Sequence, residues 1–292
     1  MRDSTGEAGI PVRKSGEDVR APGAGLPPVL GRPSAAAGQP AALRPEGWAG
    51  RAAYRADEGQ DERWALRAAS LAGVRHRLAG ADSEDAYAWR RAGQAIVVAV
   101  GDGVGSRSGS AAAALVAVHA GCEAASLLAG QDVPDLKVAC EEAVGAANRA
   151  VRGGTGATTL VVAVAGPEGH CSLARVGDST AMVLASGEWR ALFPSPAADS
   201  VSSNATAALP ADAPSIDTAE CVLSPGEALV VMTDGIADPL RDGPTTVAPA
   251  LAAGMVVPPA AVELLALVDF SRHGCHDDRT VVGLWRRRPE DA

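Results

Sequence analysis

The chain has 292 residues, 47% of them hydrophobic but only 3% aromatic, and a formal net charge of −9. That is enough chain for one large domain or two modest ones, with a core built mainly of Ala, Val and Leu around rare bulky residues such as Trp64, Trp89, Trp189 and Trp285. Residues 1–64 hold nine bases and nine acids, so the acidic excess lies wholly in 65–292, which argues against nucleic acid or an anionic membrane as partner.

An acidic body suits a protein that gathers cations. The five cysteines (Cys122, Cys140, Cys171, Cys221 and Cys275) are odd in number and form no CxxC pair. They read as reduced thiols rather than a disulfide frame or a zinc ribbon. The start, MRDSTGEAGIPVRKSG, has no apolar signal region, and no uninterrupted apolar window reaches the ~18 residues of a membrane span. These features predict a cytoplasmic protein.

Residues 1–62 are rich in Pro, Gly, Ala and Arg without periodicity and predict a disordered tail, because such a segment cannot bury enough apolar surface to offset its ordering entropy. The stretch 27–33, PPVLGRP, reads as plain linker, with a docking motif or a clip onto the domain as alternatives. The folded domain is expected over 63–288. Residues 64–72 read as a strand, with a short helix as the alternative, and 76–85 as a polar loop. A strand begins near Ala86, and 94–100 is a continuous buried strand. Residues 110–128 and 134–151 carry helical apolar spacing and predict an antiparallel helix pair. Apolar runs at 157–165, 171–176, 181–185 and 189–192, separated by Gly-containing turns, predict an antiparallel meander. Residues 194–216 read as an irregular insertion, 228–232 as a buried strand, 258–270 as a helix and 279–285 as the closing strand.

Acids recur where apolar runs stop: Asp102 in VAVGDGVG, Asp178 in ARVGDST, Asp234 in VVMTDGI, and Asp277-Asp278 before the last strand. Glu84 and Asp85 precede the strand at Ala86 in the same way. A single acid of this kind usually caps a turn. Several such loops gathered at one end of a sandwich would hold carboxylates too close together to stay ionised without cations between them. Carboxylates, carbonyls and water select Mg²⁺ or Mn²⁺ over zinc.

The ordered motifs SEDA, VGDGVGS, TGATTL, VGDS, VVMTDGIAD and HDDRTVV resemble those of the metal-dependent protein phosphatase 2C family, in its bacterial branch with DGxGS. The resemblance spans about 66–286. It implies an α+β fold, a four-layer α-β-β-α sandwich with two antiparallel sheets flanked by helix pairs. It also implies hydrolysis of phosphoserine and phosphothreonine with two Mn²⁺ or Mg²⁺ ions, and a third, weaker position in some members. By similarity Asp102 bridges two metals, Glu84 and the Gly103 carbonyl complete one, Asp234 and Asp277 hold the other, and Asp178 sits at the third position. The implied partners are a phosphorylated protein substrate and an opposing serine/threonine kinase.

The chemistry follows without the family. Phosphate-ester hydrolysis needs a nucleophile at neutral pH and a sink for charge on the equatorial oxygens, and a water bridging two divalent ions meets the first need while the ions meet the second. No G-x-S-x-G motif or P-loop is present, and Cys275 beside His276 reads as a loop thiol. Three departures stand out. The family's phosphate-binding Arg stands four residues before the metal Glu, where this chain has Gly80. Arg77 is the nearest substitute on the same loop, with Arg75 and Arg107 as alternatives. Where some relatives have a His after the Asp-Gly, this chain has Val104, so His76 becomes the candidate proton donor. Asp278 also stands where many members have Asn. An alternative function follows: a catalytically weak relative serving as a phosphoprotein-binding or regulatory module.

Overall fold

The computed structural model describes residues 54–104, 109–131, 134–194, 206–241 and 247–291. The stretch 27–33, Arg107, and the Gly105 and Ser106 of the DGxGS motif lie outside the described residues.

In chain order the elements are β1 (Tyr54–Gln60), β2 (Trp64–Leu71), α1 (Val74–Ala79), β3 (Ala86–Ala92), β4 (Ala95–Gly101), α2 (Ser110–Ala129), α3 (Leu136–Val151), β5 (Leu160–Ala165) and β6 (His170–Val176). Then come β7 (Thr180–Ala185), β8 (Glu188–Ala191), β9 (Asp217–Val222), β10 (Ala228–Met232), α4 (Asp234–Arg241), α5 (Val247–Met255), α6 (Ala261–Val268), β11 (Arg279–Arg286) and a last 3₁₀ turn at Pro289–Asp291. One sheet runs β1-β2-β11-β10-β7-β8 and the other β3-β4-β5-β6-β9, with every pairing antiparallel.

Three apolar layers bind the four structural ones, and strand alternation sorts residues among them. Between the sheets lie Trp64, Leu66 and Ala68 of β2 against Trp89 of β3 and Ile96, Val98 and Val100 of β4. The opposite face of β4 offers only Ala95, Val97 and Ala99, and on these small side chains α2 and α3 pack through Ala114, Ala117, Ala143 and Ala147. On the far side, α4, α5 and α6 cover the first sheet through Ile236, Leu251 and Leu264. Trp64, Trp89 and Trp285 are all at or near full burial. Each contributes roughly 4–6 kcal/mol of gross transfer free energy, so a core poor in aromatics leans heavily on these few. The α-β-β-α architecture expected from the resemblance is the one present. By length and composition α2 alone among the described helices is apolar enough to cross a membrane. Its packing on α3 and on β3, β4 and β5 accounts for that composition.

The sequence reading needs correction at six places. Residues 54–60, assigned to the tail, form β1, which pairs along its whole length with β2. Backbone pairing on an existing sheet edge supplies what the apolar pattern lacks. The segment read as a loop at 76–85 begins inside the helix α1, which starts at Val74 and is capped by Gly80 in the left-handed conformation at φ 64°. The expected four-strand meander is two hairpins in different sheets, since the chain crosses from β6 in one to β7 in the other through Gly177 and Asp178. Finally, β9, α4 and α5 were not foreseen: β9 alternates on a half-exposed edge, and α4 and α5 are short segments with Pro239 and Pro249 inside them.

Candidate functional site

The strand ends that the acids punctuate converge on one open cavity of about 580 Å³. Asp102 follows β4 directly. Its amide donates to Thr159 Oγ1 (3.1 Å), and its carbonyl accepts from Thr159 N (2.8 Å) and Thr158 Oγ1 (2.9 Å). The two threonines of TGATTL therefore fix the peptide that carries the acid. Thr159 Oγ1 also lies 2.7 Å from Ser179 Oγ, which ties this clamp to the VGDS turn. Gly177 in that turn has φ 97°, and a Cβ there would stand 2.6 Å from Thr159 Cγ2, so only glycine lets the crossing strand come so close.

Asp178 follows. Its Oδ2 accepts from Thr206 Oγ1 (2.9 Å), while its buried Oδ1 has no hydrogen-bond partner among the described residues. Asp234 opens α4 as β10 ends, where the helix N-terminus favours an anion. Asp102, Asp178 and Asp234 each place a carboxylate oxygen within 4.8 Å of the others. Glu84, Gly103 and Asp277 line the same cavity, so all six residues assigned to metal come together there.

The carboxylates perturb one another strongly. Burial, then the charges of Asp234, Asp277 and Asp178, push Asp102 up to about 8. Burial, then Asp277 and Asp178, push Asp234 up to about 7. Below them Asp85 is fully buried, accepts from Thr233 Oγ1 (2.8 Å), and is held well above the usual carboxylate range by burial and by Asp102. A hard divalent cation fits this donor set. It would neutralise the mutual repulsion and give the orphaned Asp178 oxygen a partner.

Asp278 is buried and does not line the cavity; it is the organiser behind it. Its Oδ1 accepts from Gly73 N (2.6 Å) and lies 2.8 Å from His76 Nδ1, and its Oδ2 accepts from Glu84 N (2.5 Å). One carboxylate thus orients the start of α1, the imidazole and the backbone of Glu84. An Asn offers a single acceptor oxygen, so Asp at this position holds more backbone. Burial opposes protonation of His76, but the hydrogen bond and charge of Asp278 outweigh it and raise the imidazole pKa.

The cations divide by helical phase. Arg75 and His76 line the cavity. Arg77 does not: its Nη1 donates to Asp269 Oδ1 (2.9 Å) and Tyr54 OH (3.0 Å), on the side of α1 that faces β1 and the end of α6. The preferred phosphate-binding residue of the sequence reading is therefore turned away, and the alternative Arg75 takes its place at the cavity. Cys275 and His276 also line it. Sequence reasoning assigned no role to Asp85, Thr158, Thr159, Thr206, Thr233 or Asp238. Most of them lie inside motifs already singled out, but their roles depend on strands brought together from distant parts of the chain.

The profile of the protein phosphatase 2C family matches residues 72–262. Among solved structures, the catalytic domain of the serine/threonine phosphatase PstP with two manganese ions superposes with a TM-score of 0.57 at 21% identity, covering 77% of this chain and 99% of that one. The phosphatase MsPP from Mycobacterium smegmatis, in complex with cacodylate, gives 0.57 at 19% identity over 76% and 97%. RsbX in complex with magnesium gives 0.55 at 16% identity over 80% and 100%. At these identities the likeness is one of fold. No curated protein sequence matches the chain.

Proposed function

The chain belongs to the protein phosphatase 2C family, and from that premise we propose that it is a Mn²⁺- or Mg²⁺-dependent hydrolase of phosphoserine and phosphothreonine in proteins. The observation that carries the reading is the trio Asp102, Asp178 and Asp234, with oxygens within 4.8 Å and one of them orphaned. Glu84, Asp102, Gly103, Asp234 and Asp277 would hold two cations, and Asp178 a third. Bound there, the cations supply positive charge that makes water nucleophilic near neutral pH and neutralises the phosphate oxygens.

The chain's own residues do the rest. Arg75 at the cavity wall offers a planar guanidinium fork to two phosphate oxygens. His76 has Nδ1 engaged by Asp278, which leaves Nε2 to deliver a proton to the departing serine or threonine oxygen. Asp278 favours the charged form of that imidazole and aims it. Asp85, whose carboxyl is held well above the usual range by burial and by the charge of Asp102, hydrogen-bonds Asp102 from behind the cluster.

A second reading, a phosphoprotein-binding module with little turnover, draws support from Arg77, which is engaged by Asp269 and Tyr54. The experiment that separates them is release of phosphate from p-nitrophenyl phosphate and from a phosphothreonine peptide, with Mn²⁺ and with EDTA. Mn²⁺-dependent turnover of both supports the hydrolase. Tight, metal-dependent peptide binding without turnover supports the module.

A further inference from the structure

The five cysteines are all free thiols, and two of them stand directly across from one another. Cys171, near the start of β6, is the register partner of Cys221 on β9. Both side chains face the layer between the sheets, where Leu173 on one strand and Ala219 on the other continue the same face. Just beyond β9, Leu223 N donates to Gly169 O (2.9 Å). Two residues further along each strand, Cys171 and Cys221 therefore form a hydrogen-bonded pair, with Cα atoms about 5.5 Å apart. A disulfide spans Cα separations of ~4.4–6.8 Å. The Cβ atoms of opposed residues lie ~4.5–5.5 Å apart and a disulfide draws them to ~3.5–4.5 Å, so the two strands must close by about 1 Å. That movement falls on an edge strand: β9 pairs only with β6, and its residues are exposed or half-buried.

The two thiols are not equivalent. Cys171 is buried and Cys221 half-buried. The hydrogen bond from Cys171 lowers the Cys221 pKa; burial opposes that, and the charge of Arg190 adds to it. The same hydrogen bond, with burial, holds Cys171 well above the ordinary thiol range. Cys221 is thus the thiol that ionises and meets solvent, and Cys171 the one waiting behind it. The other three differ. Cys122 and Cys140 face the helix layer on the opposite side of the sheet, where burial pushes both thiols up to about 12. Cys275 lines the carboxylate cavity. Strand β6 carries Cys171 near one end and Asp178 just beyond the other, which separates the thiol pair from the carboxylates by roughly 20 Å.

We propose that Cys171 and Cys221 are a reversible oxidation site, at which hydrogen peroxide converts the facing thiols to a disulfide that staples β9 to β6. The Cys221 thiolate attacks one peroxide oxygen and the O–O bond breaks. The sulfur becomes a sulfenic acid, and the other oxygen leaves as water with the proton that Cys221 gave up. The Cys171 sulfur then attacks Cys221 Sγ. The S–S bond forms as the S–O bond breaks, and the hydroxide departs with the Cys171 proton as a second water. Two thiols and one peroxide give one disulfide and two waters, the sulfurs losing the two electrons that reduce the O–O bond.

The test treats the full chain, folded and metal-free, with hydrogen peroxide. Remaining thiols are then blocked with iodoacetamide under denaturing conditions, and the peptides are mapped by mass spectrometry. The expected result is loss of two of the five thiols and a cross-linked peptide joining Cys171 to Cys221. The intact mass should fall by two hydrogen atoms, and dithiothreitol should reverse the change in full. Cys171→Ala should stop at a sulfenic acid on Cys221, trapped by dimedone. Cys221→Ala should slow oxidation of Cys171 roughly tenfold or more, because the thiol that ionises is gone. The map of the unsubstituted chain carries the test whether or not either variant folds. Retention of all five thiols, Cys221 oxidised without the cross-link, a cross-link between other cysteines in its place, or undiminished oxidation of Cys171 in the Cys221→Ala chain would each overturn the proposal.

Discussion

Strands β10 and β11 run side by side and end in opposite chemistry. At one end Asp234 and Asp277 meet Asp102 and Asp178 with Asp278 behind them; at the other, Arg67, Arg286, Arg287 and Arg288 line a second cavity. The two ends are assembled differently. The acids are raised by one another and by burial, and their shared clamp is made of side chains: Asp278, Thr158, Thr159 and Ser179. Arg286 and Arg287 are held by backbone carbonyls, and Arg67 by carbonyls with Glu58 at 3.6 Å. Like charges accumulate at a strand end only where something else relieves them. At the acidic end the relief fits a cation; at the basic end backbone carbonyls and Glu58 supply it.

The sharpest way to break that contrast is to remove one acid. Asp102→Asn should lower Mn²⁺-dependent turnover on the order of 10²-fold or more. Measured turnover near wild type at saturating Mn²⁺ would show that Asp102 is not central to the cluster.

Asp278→Asn tests the clamp rather than the ligands. Losing one of three accepted hydrogen bonds should weaken metal affinity or turnover by about 10–100-fold, the range for outer partners of metal ligands. It should also shift the alkaline limb of the pH–rate profile downward, because His76 loses the carboxylate that favours its charged form. A purely structural role would lower the melting temperature without moving that limb.

Stability against pH distinguishes the two ends without mutation. Asp102 is raised to about 8 and Asp234 to about 7 from an ordinary 3.8. Above the ordinary value the unfolded chain gives up protons that the folded cluster still holds. Stability present at low pH is therefore lost as pH climbs from about 4 to about 8. Protonation of His76, also favoured by folding, acts in the same direction. Metal-free protein followed by differential scanning fluorimetry should melt progressively lower across that window. Mn²⁺ should restore the loss, and Asp102→Asn should flatten it.

The smallest effect separates two neighbours on α1. Arg75→Ala should raise KM for a phosphopeptide about tenfold, near the low end for a hydrogen bond to a charged group because Arg75 is exposed. Arg77→Ala should leave KM unchanged and cost only ~0.2–1 kcal/mol, as expected for its partly exposed ion pair with Asp269. The reverse pattern would mean that α1 turns its other face to substrate.

Much of the acidic end was legible in the sequence. An acid beside glycine at the end of an apolar run is a local signal, because strand, turn and side-chain direction are set within a few residues. Asp102, Asp178, Asp234 and Asp277 could be found for that reason, and so could the helix pair and the long buried strands. The edge strand β1 could not, since its pairing with β2 depends on backbone and its side chains carry little pattern.

What tertiary structure alone decided is which groups face each other. Whether Arg75 or Arg77 reaches the cavity depends on the rotation of a six-residue helix, set at one end by Asp278 from 205 residues away. The crossing at Gly177 turns an apparent meander into two sheets and carries Asp178 to Asp102 and Asp234. The arginine cluster is drawn from β2 and the end of β11, and only sheet pairing makes them neighbours. Local sequence determines where a chain turns and what chemistry sits at the turn. Contacts between distant segments determine which of those chemistries share a site, because the energy of burial and charge depends on every group within reach, whatever its place in the chain.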